Sequence, residues 1–432
     1  MDSHLIVVAV FVLGILVGLP VAFVLLIAAF AGLVALRGLP VAMTALSHMP
    51  YGKVTDLALM TIPLFILMGA FATQAGVSAR AYQMANRFVG HLRGGLAMAT
   101  VFACAAFAAT SGSSVATSAA VGRIALKEMR RFGYDRSVSA GTIASAGLLG
   151  IMIPPSIMLV VYGIITQTDI GQLLVAGVLP GILTGLVFSV GLYLLARLRP
   201  DLMPTADQRF SWRQRVSGLR DGWGVAVLFG VIVGGIYSGL FTATEAAAVG
   251  AVAAFLMVLA RQGFQWRELL TSGREAAGSC AMIFLILIGA GLLSQYIALS
   301  GLGRLLGGIV ADSSLPAWVI LAIILAAYIP LGMFLEPISL CLITLPIVFP
   351  TVTALGYDPV WFGIIVVKMS ELANITPPLG VNVFVIKAVD PEMPISAVFR
   401  GAGFFVLLEL VTLALLVALP EISLLLPQLM LG

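Results

Sequence analysis

Two stretches of this chain set consecutive prolines beside short polar side chains inside apolar runs. One reads Glu371-Leu-Ala-Asn374-Ile-Thr376-Pro377-Pro378-Leu-Gly380-Val-Asn382, the other Gly150-Ile-Met-Ile-Pro154-Pro155-Ser156. A helix cannot run through two prolines without losing hydrogen bonds. At membrane depth the freed carbonyls persist only where protein or a polar cavity satisfies them. Such carbonyls, with nearby hydroxyl and amide oxygens, are hard ligands that suit Na⁺. Two further clusters have matching chemistry, Ser111-Gly112-Ser113-Ser114 and the run from Gly332 to Glu336. A glycine in a hydroxyl-rich turn lets backbone approach a ligand, and helix N-termini beside it favour an anion. The Na⁺-binding candidates are Ser111, Gly112, Ser113, Ser114, Pro154, Gly332, Asn374, Thr376 and Pro377. The substrate-binding candidates are Pro155, Ser156, Glu336, Pro378, Gly380 and Asn382.

Carboxylates inside apolar runs carry a further signal. An ionisable residue at membrane depth costs roughly 2.5–3.5 kcal/mol on insertion scales, so it is kept for a reason. Glu336 and Glu371 lie closest to the polar clusters. Glu371 also stands three residues after Lys368, the spacing of a helical ion pair, so a purely structural pair is an open alternative. For Glu336 the alternative is hydrogen bonding within its own hairpin. Glu409 has no evident partner and receives no role. Catalysis is a poor fit: His4, His48 and His91 are far in sequence from the serine-rich turn, and a serine nucleophile needs a base within reach. No phosphate-cradling loop precedes a Lys-Ser/Thr pair. Cys104, Cys280 and Cys341 are isolated in apolar runs and show neither a disulfide nor a transition-metal spacing.

The elements that must hold these residues are membrane helices. Of the 432 residues, 61% are hydrophobic and 10% charged, against about a quarter charged in a soluble domain. Many apolar runs reach the roughly 20 residues that cross a bilayer. The fold class is therefore an all-α polytopic membrane protein in contact with lipid. The first run follows Met1-Asp2-Ser3-His4, has no basic leader, and reads as a mature helix. The basic residues report orientation, with no implication of nucleic-acid binding.

Residues 5–17 and 21–36 are one kinked helix or two short ones around Gly18-Leu19-Pro20. Residues 38–57 are mixed and read as lying along the interface. Residues 95–130 form two short apolar arms around the serine-rich turn, too short to cross and basic at both ends. That is a re-entrant hairpin entered from the cytoplasm. A broken helix follows at 138–166. After a basic cytoplasmic linker at 201–221, the plan recurs with a hairpin at 315–351 and a broken helix at 360–388. Pro377 follows Pro154 by 223 residues, and the same offset relates Tyr357 to Tyr134 and Glu336 to Ser113. The flanks of the second hairpin, with Arg304, Asp312 and Asp358, are not basic overall, so it enters from outside. Residues 1–200 and 222–432 thus form an inverted-topology repeat, which places a transporter's binding site at the paired breaks. Every Lys and Arg then falls in the cytoplasm except Arg37, Lys53, Arg304 and Lys368. Met1 and Gly432 are both periplasmic in this scheme.

Gly112-Ser113-Ser114-Val-Ala-Thr117, Ile151-Met-Ile-Pro154-Pro155-Ser156, Pro330-Leu-Gly-Met-Phe-Leu-Glu336-Pro337 and Asn374-Ile-Thr-Pro-Pro-Leu-Gly380 resemble the large membrane subunit of TRAP transporters, the DctM-like family. Gly18-Leu-Pro-Val-Ala and Ile62-Pro63-Leu-Phe65 extend the resemblance through nearly the whole chain. It implies an ATP-independent importer in the bacterial inner membrane with an elevator-type transport domain. It also implies a four-helix small membrane subunit, a periplasmic substrate-binding protein that delivers an organic acid, and Na⁺ as coupling ion at the hairpin tips and breaks. Two other readings stay open on the residues alone, a stand-alone Na⁺/dicarboxylate symporter and an anion channel.

Overall fold

In the computed structural model, residues 2–205, 210–303, 305, 308, 313–378 and 380–431 are described. They form helices and turns, with no strand among them. Met1, Arg209, Arg304, Asp312, Leu379, Gly432 and the Lys53 side chain, all used above, lie outside the described residues.

The chain opens with α1 (Asp2–Leu16) and α2 (Val21–Arg37). They are two short antiparallel helices: Gly14 packs on Val24 and Gly32 on Val7. Next come α3 (Leu39–Val54), α4 (Thr61–Gln74) and α5 (Val77–Val89). The first hairpin is α6 (Gly95–Ser111) and α7 (Ser114–Arg131). The first broken helix is α8 (Arg136–Ala146) with the single turn α9 (Leu149–Met152), then α10 (Ile157–Thr166) bent 42° from it. Helices α11 (Ile170–Ala176) and α12 (Val178–Leu198) follow.

After α13 (Trp212–Leu219), the second half begins with α14 (Trp223–Phe229), a π-helical turn, and α15 (Gly235–Tyr237). It continues with α16 (Ala243–Gln262) and α17 (Trp266–Ser300). The second hairpin is α18 (Ala317–Phe334) and α19 (Pro337–Ala354); the second broken helix is α20 (Pro359–Asn374) and α21 (Val381–Val389). Helices α22 (Ile395–Ala418) and α23 (Glu421–Leu431) end the chain. Seven helices among the described residues are long and apolar enough to cross a membrane, and two bent pairs could raise this to nine.

Local chemistry explains why the boundaries repeat. A helix start leaves orphan N–H groups that a short polar side chain can accept. Asp135 accepts from Ser137 and Val138 at 2.8 and 3.2 Å, and Asp358, 223 residues later, accepts from Val360 and Trp361 at 2.8 and 2.9 Å. Just before each cap, Gly133 and Gly356 turn the chain at φ of 74° and 85°, which a side chain would strain. Between the first glycine and its cap stands Tyr134. Its hydroxyl accepts the Leu96 N–H at 3.4 Å, and burial pushes its pKa up to about 12.

The two halves are laced together. Helix α2 packs along α17, and α16 along α4. The Thr61 and Thr244 hydroxyls meet at 2.7 Å where α4 crosses α16. Gly289 gives Leu25 room to approach α17, since a Cβ there would lie 3.0 Å from the Leu25 Cβ. The hairpins and broken helices also pack on one another: the Tyr162 hydroxyl donates to the Pro359 carbonyl at 2.7 Å, and Gly141 of α8 lies directly against Gly401 of α22. This is an inverted-repeat transporter fold with two hairpins and two broken helices.

Candidate functional site

Each hairpin tip is seated on the break of its own half. At the first tip, Gly112 ends α6 at φ 64°, and its carbonyl accepts the Ile157 N–H at 3.4 Å. A Cβ on Gly112 would lie 2.5 Å from the Pro155 carbonyl oxygen, and one on Gly150 would lie 2.5 Å from the Ser113 carbonyl oxygen. Only glycines allow backbone to meet backbone this closely. The Ser111 and Thr117 hydroxyls pair at 2.8 Å across the tip, and Ser113 caps α7 by accepting the Ala116 N–H at 3.3 Å. In the second half, a Cβ on Gly332 would stand 2.5 Å from the Ala373 Cβ. Glu336 caps α19, its Oε1 accepting the Ser339 N–H at 3.1 Å and the Ser339 hydroxyl at 3.0 Å. Hydrogen bonding inside its own hairpin is thus real for Glu336, and it occupies one of the two carboxylate oxygens.

Both tips face one cavity of about 860 Å³. Ser111, Gly112, Ser113, Ser114, Glu336 and Asn374 line it, beside Pro337, Ile157, Met158 and Val381. Gly69, against the backbone of Ser111, lines it too, as do Gln74, Arg123, Glu268, Ser272 and Glu275. The sequence reading missed the residues of this set on α4 and α17, because those helices look like ordinary spans; the polar first turns of α17 were the available signal. Four helix N-termini reach the wall, those of α7, α10, α19 and α21, at Ser114, Ile157, Pro337 and Val381. Three helix C-termini reach it as well, α4 at Gln74, α6 at Ser111 and α20 at Asn374. N-terminal ends favour negative charge and C-terminal carbonyls favour positive charge.

The remaining predicted residues do not line the cavity. Both proline pairs are present as breaks with a cis bond between the prolines. Pro154, Pro155, Pro377 and Pro378 shape the breaks without lining the cavity. The Ser156 hydroxyl donates to the Ile151 carbonyl at 2.5 Å and accepts the Leu159 N–H at 3.2 Å, so it serves as the cap of α10. Thr376 donates to the Leu372 carbonyl at 2.6 Å. Asn382 reaches the other half, its Nδ2 donating to the Ala144 carbonyl at 3.0 Å. Gly380 opens α21 at φ 55°, within reach of the Asn374 carbonyl. The Asn374 Nδ2 is buried without a hydrogen-bond partner in a residue that lines the cavity.

One sequence expectation is corrected. Glu409, left without a partner above, lies 2.5 Å from the Lys368 ammonium, which also lies 2.7 Å from Glu371. Glu371 is therefore in the structural pair that its spacing allowed, and does not line the cavity. A carboxylate in an apolar helix was itself the signal that Glu409 needed a partner.

A family model described as "Tripartite ATP-independent periplasmic transporter, DctM component" matches residues 7–422. The chain is 42% identical over 372 residues to the C4-dicarboxylate TRAP transporter large permease protein DctM of Pseudomonas aeruginosa, covering 86% of each chain. It is 35% identical over 446 residues to the protein of that name from Rhodobacter capsulatus, covering 99% of each. It is 31% identical to the sialic acid TRAP transporter large permease protein SiaM of Vibrio cholerae, covering 96% of each. Among solved structures, the YdaH transporter of Alcanivorax borkumensis aligns with a TM-score of 0.56 at 15% identity, over 91% of this chain and 89% of that one. MtrF of Neisseria gonorrhoeae aligns at 0.55 and 13% identity, over 95% and 94%. At such identity the two structures speak to the fold alone.

Proposed function

This chain belongs to the DctM family of tripartite ATP-independent periplasmic transporters, as a large permease subunit, and on that premise we propose that it imports a small organic acid by coupling it to Na⁺. The observation that carries the reading is the single cavity walled by both hairpin tips and by helix ends from both breaks. The N-termini of α7, α10, α19 and α21 suit an anion, and the carbonyl ends of α6 and α20 suit a cation. Ser111, Gly112, Ser113, Ser114 and Asn374 are the residues best placed for Na⁺; Pro154, Gly332, Thr376 and Pro377 hold the tips and breaks in shape. Glu336 belongs to the substrate side, and Ser156, Pro155, Pro378, Gly380 and Asn382, around the two breaks, support that side. A carboxylate substrate agrees with the C4-dicarboxylate and sialic acid named for the relatives.

The same reading assigns two partners, a periplasmic binding protein that selects and delivers the acid and a small four-helix membrane subunit. It places the chain in the bacterial inner membrane with both ends periplasmic, by the positive-inside bias. The crossed pairs α2–α17 and α4–α16 would form the static frame, with the hairpins and broken helices moving against it as an elevator. Reconstitution tests the tripartite part. Proteoliposomes holding this chain and its small subunit should take up the acid only when loaded binding protein is supplied. Equal uptake from free substrate would make the chain a stand-alone symporter.

A further inference from the structure

The cavity leaves one buried cluster without a use. Lys368 and Glu371 on α20 and Glu409 on α22 are each 1% exposed or less. The Lys368 ammonium lies 2.7 Å from Glu371 Oε2 and 2.5 Å from Glu409 Oε2, and it donates to the Thr184 hydroxyl on α12 at 2.9 Å. An ammonium has three N–H donors; Thr184 and Glu371 accept two of them, and Glu409 Oε2 stands opposite at ion-pair distance. The lysine is therefore the charged member, and two carboxyl groups face it. Both ionised, they would leave one net negative charge without solvent, and a buried uncompensated charge is neutralised more readily than tolerated.

The geometry offers a place for the neutralising proton. Glu371 Oε1 and both oxygens of Glu409 are buried with no hydrogen-bond partner. Lys368 and Glu409 each lie nine residues from one end of their helix, Pro359 or Ala418, roughly 14 Å along the axis. The other charged groups on the helices around them sit at outer turns: Arg136 on α8, Arg197 on α12, Lys387 on α21, Arg400 on α22 and Glu421 on α23, with Asp169 capping α11. Asp358 caps the start of α20. The titratable groups on the packed α10, α18 and α19 are Tyr162, Tyr328 and Cys341, all uncharged in their ordinary state.

We propose that Lys368, Glu371 and Glu409 form a membrane-embedded proton-binding site, in which two carboxyl groups share one proton opposite one ammonium. Its ligand is a proton, and it is separate from the cavity that takes Na⁺ and the acid.

Infrared spectroscopy of the purified full-length chain in lipid nanodiscs reads this directly. The site predicts a buried protonated-carboxyl band at neutral pH that is lost in E371Q and in E409Q alike, since each variant leaves one carboxylate opposite one ammonium. A wild-type spectrum without the band overturns the proposal, as does a band undiminished in both variants. Thermal unfolding gives a second reading. E409Q, balanced in charge, should keep a midpoint near the wild type, and the double variant E371Q/E409Q, with a stranded ammonium, should fall well below it. E409Q unfolding at or below the double variant overturns the proposal too.

Discussion

Ser113 and Glu336 hold the same position once in each half: each accepts N–H bonds at the start of its hairpin's second arm, and each lines the shared cavity. A hydroxyl and a carboxylate cap a helix about equally, but only the carboxylate adds a charge to the wall. Replacing Glu336 by Ser, the cap used in the first half, should therefore keep stability and lose function. We expect Glu336→Ser to unfold within about 1 kcal/mol of the wild type while uptake falls at least about tenfold. Glu336→Ala should lose both. Thermal unfolding and uptake, measured on the same preparations, separate the two effects.

The glycine seats are the most exacting contacts in the site. Gly112→Ala would drive a methyl to 2.5 Å from the Pro155 carbonyl at a φ of 64°, and nothing nearby can yield except backbone. We expect uptake to be abolished. Gly332→Ala meets side chains rather than a carbonyl, the Ala373 methyl at 2.5 Å and Leu340 Cδ2 at 3.0 Å. That defect should be relieved by Ala373→Gly, so a double-variant cycle in uptake should show strong positive coupling between the two sites. Additive losses would mean that the second tip does not rest on its break during transport.

Asn374 and Thr376 should behave differently. Asn374 lines the cavity and carries an amide oxygen, a hard ligand for a cation, while the Thr376 hydroxyl is already bonded to the Leu372 carbonyl. Asn374→Ala should raise the Na⁺ concentration for half-maximal uptake about tenfold, the size of one lost ligand contact of about 1.4 kcal/mol. Thr376→Val should act through stability, by about 1 kcal/mol, with little change in Na⁺ response. Equal Na⁺ defects in both would put the Thr376 oxygen on the ion.

Much of this was legible in the chain because the signals are local. A proline pair, a Gly-Tyr-Asp turn and a capping side chain each act within a few residues, so their repetition at one offset reports the repeat directly. The expected hairpins at 95–130 and 315–351 became 95–131 and 317–354. The direction of side chains was not legible. Ser156 and Ser113 are the same residue in similar turns, yet one bonds backward to Ile151 and the other opens on the cavity. The partner of Glu409 was hidden for the same reason, since 41 residues of sequence separate it from Lys368. Only the packing of α22 on α20 brings them together.

Removing that lysine should be costly. Lys368→Met would leave Glu371 and Glu409 buried together without a counter-charge, and breaking a buried pair in this way costs roughly 3–5 kcal/mol. We expect a markedly lower unfolding temperature and poor recovery of the folded protein. Thr184→Val, which removes a single neutral acceptor, should cost about 1–3 kcal/mol.

The central claim is that a Na⁺ gradient drives the acid through the cavity between the two tips. Its most direct measurement is uptake of labelled acid into proteoliposomes holding the chain, its small subunit and loaded binding protein, with Na⁺ outside only, equal on both sides, or replaced by choline. The account predicts accumulation above equilibrium under the inward gradient, none with equal Na⁺ at zero membrane potential, and none in choline. Accumulation of the same size in choline would contradict it.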